Sequence, residues 1–247
     1  MTDSRRDAAD NAFLRKLEGF VPLSEADRAA LLEISADAQA VPAGTDLVRE
    51  GDPPEGVFLI LEGFACRYKQ RENGSRQIMA YLLPGDAGDL DVALLETMDH
   101  SIRTLSDCEV VRIAPEAIQE LLKRPAIASA LRKSALVDEA TLREWLLNVG
   151  RRTAVERLAH LFCEVHRRLQ VVGLADENRF ELPVTHQELA DTTGQASVHV
   201  NRALRELTER ELIELRQGHL TILDLPRLRQ IAEFRSGYLH LGEEAAA

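Results

Sequence analysis

The stretch THQELADTTGQASVHVNRALREL, Thr185 to Leu207, decides the reading of this chain. Its opening has capping-box form: the Thr185 hydroxyl can cap a helix, and Glu188, three positions on, can reach back to the cap's amide. Leu189 and Ala190 supply the apolar face of a short helix. Thr192-Thr193-Gly194 ends it, because glycine takes the positive φ of a tight turn at little cost. A second helix is predicted from about Ala196 to Arg210. Within it Val200, Ala203, Leu204 and Leu207 stand at i, i+3, i+4 and i+7 and form one buried stripe.

Ser197, Val198, Asn201, Arg202 and Arg205 share the opposite face and point away from that stripe. A helix offering side chains of this kind suits the major groove of DNA, where Arg can bond guanine O6 and N7 and Asn can bond adenine N6 and N7. His186, Gln187 and His199 are placed to reach phosphates, which position a protein without reading sequence, and Thr185 at the head of the first helix is counted with the DNA-binding residues. A plain helical hairpin with a solvated face would show the same cap, glycine and stripe. The sequel favours the DNA reader: Leu212-Ile213-Glu214-Leu215, a turn at Gln217-Gly218, then Leu220-Thr221-Ile222-Leu223 reads as the small β-hairpin of a winged helix-turn-helix.

Upstream, Arg151 to about Val171 reads as helix, followed by a turn-rich break from Gly173 to Arg179. Before that, no Pro or Gly interrupts the segment between Pro125 and Gly150. Ala128, Leu131, Ala135, Asp138, Leu142, Trp145 and Val149 recur there in alternating steps of three and four, a heptad seam that lets two helices pack side by side. A single amphipathic helix lying on its own domain fits the same spacing. From Ala40 to Arg112 the pattern changes to short runs broken by Gly and Pro, with strands expected at Val57–Leu61, Gln77–Leu83 and Glu109–Ile113. Many short strands at close intervals predict an all-β roll, barrel or sandwich. At the amino-terminal side, Asn11 to Ile34 has helical spacing, broken at Pro22-Leu23-Ser24-Glu25 with Ser24 as a cap.

The 247 residues are 45% hydrophobic, 29% charged and only 4% aromatic, a globular composition with cores of Leu, Val, Ile and Ala. No run is long and apolar enough to span a bilayer, and the start MTDSRRDAADNAF lacks a signal peptide's apolar stretch, so a cytoplasmic protein without membrane contact is expected. Cys66, Cys108 and Cys163 lie far apart and read as reduced structural thiols, too few for an iron–sulfur cluster. The net charge of −11 is unusual for a DNA binder. Even Arg151 to Arg216 holds 10 arginines against 11 acidic residues, so binding must depend on a local basic face. The acidity leaves a second reading open, a ligand-binding or protein-interaction module that has lost DNA contact. No G-x-S-x-G elbow, H-E-x-x-H site, P-loop or G-x-G-x-x-G run is present, and an enzyme is not expected.

The whole arrangement resembles the Crp/Fnr family of bacterial transcription regulators. Pro42-Ala43-Gly44, Glu50-Gly51-Asp52 and the Val57-to-Gly63 strand and turn look like that family's cyclic-nucleotide-binding roll, and Thr185 to Leu207 looks like its helix-turn-helix. The resemblance implies an α+β chain: a β-roll sensor of jelly-roll type with amino-terminal helices over 1–124, a dimerisation helix over 125–150, and a winged helix-turn-helix over 151–247. It also implies a homodimer reading an inverted repeat of double-stranded DNA, with half-site centres roughly 34 Å apart, and RNA polymerase as a further candidate partner. The ligand pocket departs from the cyclic-AMP pattern. Gly88-Asp89-Leu90 stands for a Gly-Glu-Leu-like segment, and Met98 and Asp99 fall where a phosphate-clamping Arg and its Ser would be, or His100-Ser101 if the alignment shifts. Gly88, Asp89, Leu90, Met98, Asp99 and His100 are thus the candidate effector residues, for an effector other than cyclic AMP, and no cofactor is expected. His100 with Asp86, Asp89, Asp91 and Asp99 reads as a solvated acidic loop or as a metal site.

Overall fold

The computed structural model describes residues 11–90 and 92–241. Two short helices lead the chain. In α1 (Ala12–Glu18) Asn11 caps the first turn, and Phe13, Leu14 and Leu17 are buried. In α2 (Glu25–Ile34) Ser24 and Asp27 form a reciprocal capping box, so the chain breaks where the sequence placed the cap.

Seven strands then fold into two sheets: β1 (Gln39–Val41), β2 (Asp46–Val48), β3 (Val57–Glu62), β4 (Ala65–Gln70), β5 (Arg76–Leu82), β6 (Ser101–Thr104) and β7 (Cys108–Ile113). One sheet runs in the order β1-β7-β3 and the other β2-β6-β4-β5, with neighbours antiparallel. Leu59 and Leu61 of β3, Cys66 of β4, Ile78 and Tyr81 of β5 and Val111 of β7 share one apolar core. Gly63 makes the β3–β4 turn at φ +81°, where a Cβ would lie 2.3 Å from the Asp107 carbonyl oxygen. Only glycine fits there. Of the strands, β1, β2, β4 and β6 were not singled out in the sequence.

Two helices follow the roll, α3 (Pro115–Leu122) and α4 (Pro125–Arg151), each opening on a proline whose missing N–H costs nothing in the first turn. The inward face of α4 carries Ile127, Ala130, Leu131, Val137 and Trp145. Trp145 meets Tyr81 edge-on at 5.6 Å between ring centroids. Its indole N–H donates to the Glu164 carboxylate at 3.0 Å. This corrects the expected seam: Trp145 and Leu131 belong to the protomer's own core. The outward apolar positions are Leu136, Leu142, Leu146 and Leu147, exposed by 59%, 53%, 75% and 46%. The helix therefore has two apolar faces, and the counted heptad crossed between them.

The carboxy-terminal part is organised around α5 (Ala154–Val171), capped by a Thr153/Glu156 box and buried at Leu158, Phe162, Val165 and Leu169. Around it lie β8 (Arg179–Glu181), α6 (His186–Thr193), α7 (Ser197–Glu209), β9 (Ile213–Arg216), β10 (His219–Ile222), α8 (Leu225–Ala232) and a final 3₁₀ turn at Ser236–Leu239. The wing is a three-stranded sheet, β8-β10-β9, rather than the plain hairpin expected. None of the helices among the described residues is long and apolar enough to cross a membrane. Cys66, Cys108 and Cys163 are buried, and burial pushes the Cys66 thiol up to about 12, which leaves it protonated and inert.

Candidate functional site

The helix-turn-helix is fixed by local chemistry. The Thr185 hydroxyl accepts from the Glu188 amide at 3.1 Å, and the Glu188 carboxylate accepts from the Thr185 amide at 2.7 Å. Gly194 ends α6 at φ +63°, and its N–H donates to the Ala190 carbonyl. Thr192 and Thr193 turn their hydroxyls back onto the carbonyls of Glu188 and Leu189. On α7 the stripe Val200, Ala203, Leu204 and Leu207 is buried.

The other face of α7 is open. Val198, His199, Asn201, Arg202 and Arg205 are all exposed, as are Thr185, His186 and Gln187 at the start of α6. Ser197 is half-buried and donates to Gln187 Oε1 at 2.7 Å, tying the two helices together at their outer ends. Arg210 is paired with Glu206, but among the described residues no ion pair engages Arg202 or Arg205. Two guanidiniums thus project from a rigidly backed ridge with no protein anion to satisfy them.

The inner side of the turn is held by the roll. Arg76 Nε donates to Asp191 at 2.8 Å, Gln77 Nε2 to the Thr192 carbonyl at 3.1 Å, and the Tyr81 hydroxyl lies 2.7 Å from that of Thr192. Arg157 of α5 adds a bond to the Thr193 carbonyl at 2.7 Å. Below the clamp, Asp86 accepts from Lys16 at 2.7 Å and from Arg168, and Arg168 also reaches the Tyr81 carbonyl at 3.0 Å. Fully buried Glu164 accepts from Trp145, Arg168 and the Tyr238 hydroxyl. Burial alone would raise the Asp86 carboxyl, but Arg168 and Lys16 outweigh it and hold it below the usual carboxylate range. None of these ties was visible in the sequence, because each joins residues far apart in the chain.

A second feature is a cavity of about 680 Å³ between the roll and α4. Gly88, Asp89, Leu90, Asp99 and His100 line it; Met98 does not. That residue is a correction: its side chain is buried at 3% exposure, and its backbone pairs with Gly51 and Asp52. A residue the sequence reading missed, Arg67 of β4, enters the cavity and lies 3.1 Å from Asp89. His100 stands between two carboxylates, 3.0 Å from Asp89 and 2.7 Å from Asp99. Burial lowers its pKa, but the two aspartates prevail and raise it, so the imidazolium is favoured. That contribution is complete below the unfolded value of about 6.5 and disappears as pH rises through the folded one. On α4, burial pushes the Asp138 carboxyl up, toward its neutral form. Of the candidate metal set, Asp86 turns away to Lys16 and Arg168, and Asp91 lies outside the described residues. Among the described residues no group of three or more His, Cys, Asp and Glu side chains could hold a metal ion.

A two-sheet roll, a long helix and a winged helix-turn-helix with an open polar ridge together make a DNA-binding regulator with an appended roll domain. A family model described as a Crp-like helix-turn-helix domain matches residues 156–231, and one described as a cyclic nucleotide-binding domain matches residues 38–125. The transcriptional activator protein FnrL of Cereibacter sphaeroides is 27% identical over 213 residues, covering 84% of this chain and 85% of that one. The nitrogen fixation regulation protein FixK of Azorhizobium caulinodans is 27% identical over 214 residues, covering 85% and 86%. In fold, the structure of FixK2 from Bradyrhizobium japonicum is similar with a TM-score of 0.68 at 23% identity, over 78% of this chain and 96% of that one. The chain belongs to the Crp/Fnr family of transcription regulators and is a DNA-binding regulator of that type. Its relatives are transcription regulators, not enzymes.

Proposed function

We propose that two copies of this chain, joined along α4, read an inverted-repeat operator in double-stranded DNA through the outer face of α7. Residues 1–124 form the sensor, 125–150 the dimer helix and 151–247 the reader. Carrying this reading is the ridge itself: Val198, Asn201, Arg202 and Arg205 stand exposed on a helix whose other face is wholly buried. Arg202 is assigned a guanine edge and Asn201 an adenine edge, with Ser197, Val198 and Arg205 alongside them. Thr185, His186, Gln187 and His199 hold phosphates. Because the global charge is −11, affinity for DNA of arbitrary sequence is low and discrimination correspondingly visible. Arg202→Ala should weaken binding to the preferred operator by about 1–3 kcal/mol, roughly 5- to 150-fold, while binding to unrelated duplexes changes little. Competition gel shifts check this; equal losses on both duplexes would remove Arg202 from base reading.

The exposed leucines of α4 are the surface on which the second copy is placed, and the relatives named as activators support RNA polymerase as a further partner in the cytoplasm. Gly88, Asp89, Leu90, Asp99 and His100 are assigned to an effector in the roll cavity, together with Arg67. That effector is not cyclic AMP. The cavity meets an anion with Asp89 and Asp99, its Arg67 is committed to Asp89, and no free guanidinium stands where Met98 does. Calorimetric titration with cyclic AMP is expected to give no saturable heat at micromolar concentrations. A micromolar or tighter dissociation constant would contradict the assignment.

A further inference from the structure

One residue on the reading ridge has the wrong chemistry for the hydrogen-bonding role of its neighbours. Val198 is exposed by 61%, near the start of α7, where His199, Asn201, Arg202 and Arg205 are all polar. An exposed valine gains nothing from water, and as a β-branched residue it does not favour a helix. It takes no part in the core stripe, which is complete with Val200, Ala203, Leu204 and Leu207. Asn201 and Arg202 follow it at i+3 and i+4, so the three side chains share one strip of the helix surface.

In a major groove every base pair offers donors and acceptors, and the one apolar feature is the C5-methyl group of thymine. We infer that Val198 selects a T·A base pair by packing its two methyl groups on that thymine methyl, while Arg202 reads a guanine beside it. The inference rests on the reading of α7 as the groove helix and specifies what that helix prefers. Valine pairs with the polar groups of no base, so every base pair leaves those groups unsatisfied against it, and only a T·A pair offsets this with a methyl contact. Four residues of helix advance about 6 Å, close to two base-pair steps of about 3.4 Å, so thymine and guanine fall within one or two steps of each other in each half-site.

The test uses the full-length protein and the duplex it selects from a randomised pool. Each thymine of the selected half-site is replaced in turn by uracil, which removes the methyl and nothing else. One position is expected to weaken binding about four-fold per half-site, and about fifteen-fold when both half-sites carry the change, as the transfer of one CH₂ group from an apolar contact to water implies. In Val198→Ala the same uracil substitution should have much less effect, and Val198→Glu, which can accept from cytosine N4, should shift the selected pair at that position to C·G. If a duplex is selected but no thymine methyl is coupled to Val198, this inference is overturned while the groove reading of α7 stands. Should no duplex be selected at all, the groove reading fails and the inference with it.

Discussion

Replacing Asp86 with alanine is expected to cost about 3–5 kcal/mol of folding stability, because it strands buried Lys16 and leaves buried Arg168 with only its longer contact to Glu164. Asp86 is 4% exposed, and its carboxylate accepts from Lys16 of α1, from Arg168 of α5 and from the backbone amide of Leu83 just past β5. One side chain therefore ties the amino-terminal helix, the roll and the reader together. Alanine leaves Lys16 and Arg168 facing each other across the gap with no anion between them. Urea denaturation at neutral pH measures the loss; a change below about 1 kcal/mol would show that water or Glu164 compensates the pair. The pH dependence gives a second readout. A carboxyl held below its unfolded value of about 3.9 contributes stability that is fully present above that value and is lost as pH falls through the folded one. Part of the acid sensitivity of the native chain should accordingly be missing in Asp86→Ala.

A double change, Leu142→Glu with Leu146→Glu, is expected to convert the protein to a monomer. Both side chains are exposed on α4 and each is worth about 1.5–3 kcal/mol when fully buried against a partner. In the proposed dimer the glutamates add like charges facing each other across the two-fold axis. The protomer's fold should be retained, since neither residue belongs to its core, although Leu142 also borders the roll cavity. Binding to a full inverted repeat should then fall about 10²-fold or more, because tethering the second reading head raises avidity by that order. Sedimentation equilibrium and a gel shift on one and two half-sites check both parts. A variant that sediments as a dimer would place the subunit contact elsewhere.

The parts of this fold that were legible in the sequence are those made by neighbours in the chain. Thr185 with Glu188, Ser24 with Asp27, Gly194 and the stripe from Val200 to Leu207 each act within one or two helical turns, so spacing alone reveals them. The long helix was legible as a helix but not in its facing. Trp145 and Leu142 both satisfy a heptad, and only the packed structure shows that Trp145 turns to Tyr81 and Glu164 while Leu142 turns out. Strand β8 starts on the last residue of what reads as a turn, and its three residues become a strand only by pairing with β10. Arg67 was missed for a similar reason. Nothing beside it announces a cavity, and its partner Asp89 reaches it only once the sheets close. Met98 shows the opposite error: alignment put it in the phosphate position, whereas the backbone carries its side chain into the core.

The proposed DNA reading requires exposed Asn201, Arg202 and Arg205 of α7 to reach the floor of a duplex groove. Selection of bound sequences from a randomised duplex pool, at physiological salt and with the full-length protein, tests that most directly. The expected product is a single inverted repeat whose half-site centres lie roughly 34 Å apart, with a guanine in each half-site whose enrichment vanishes in Arg202→Ala. A pool that emerges without a preferred sequence, or a protein that ignores every duplex even at low salt, would contradict it.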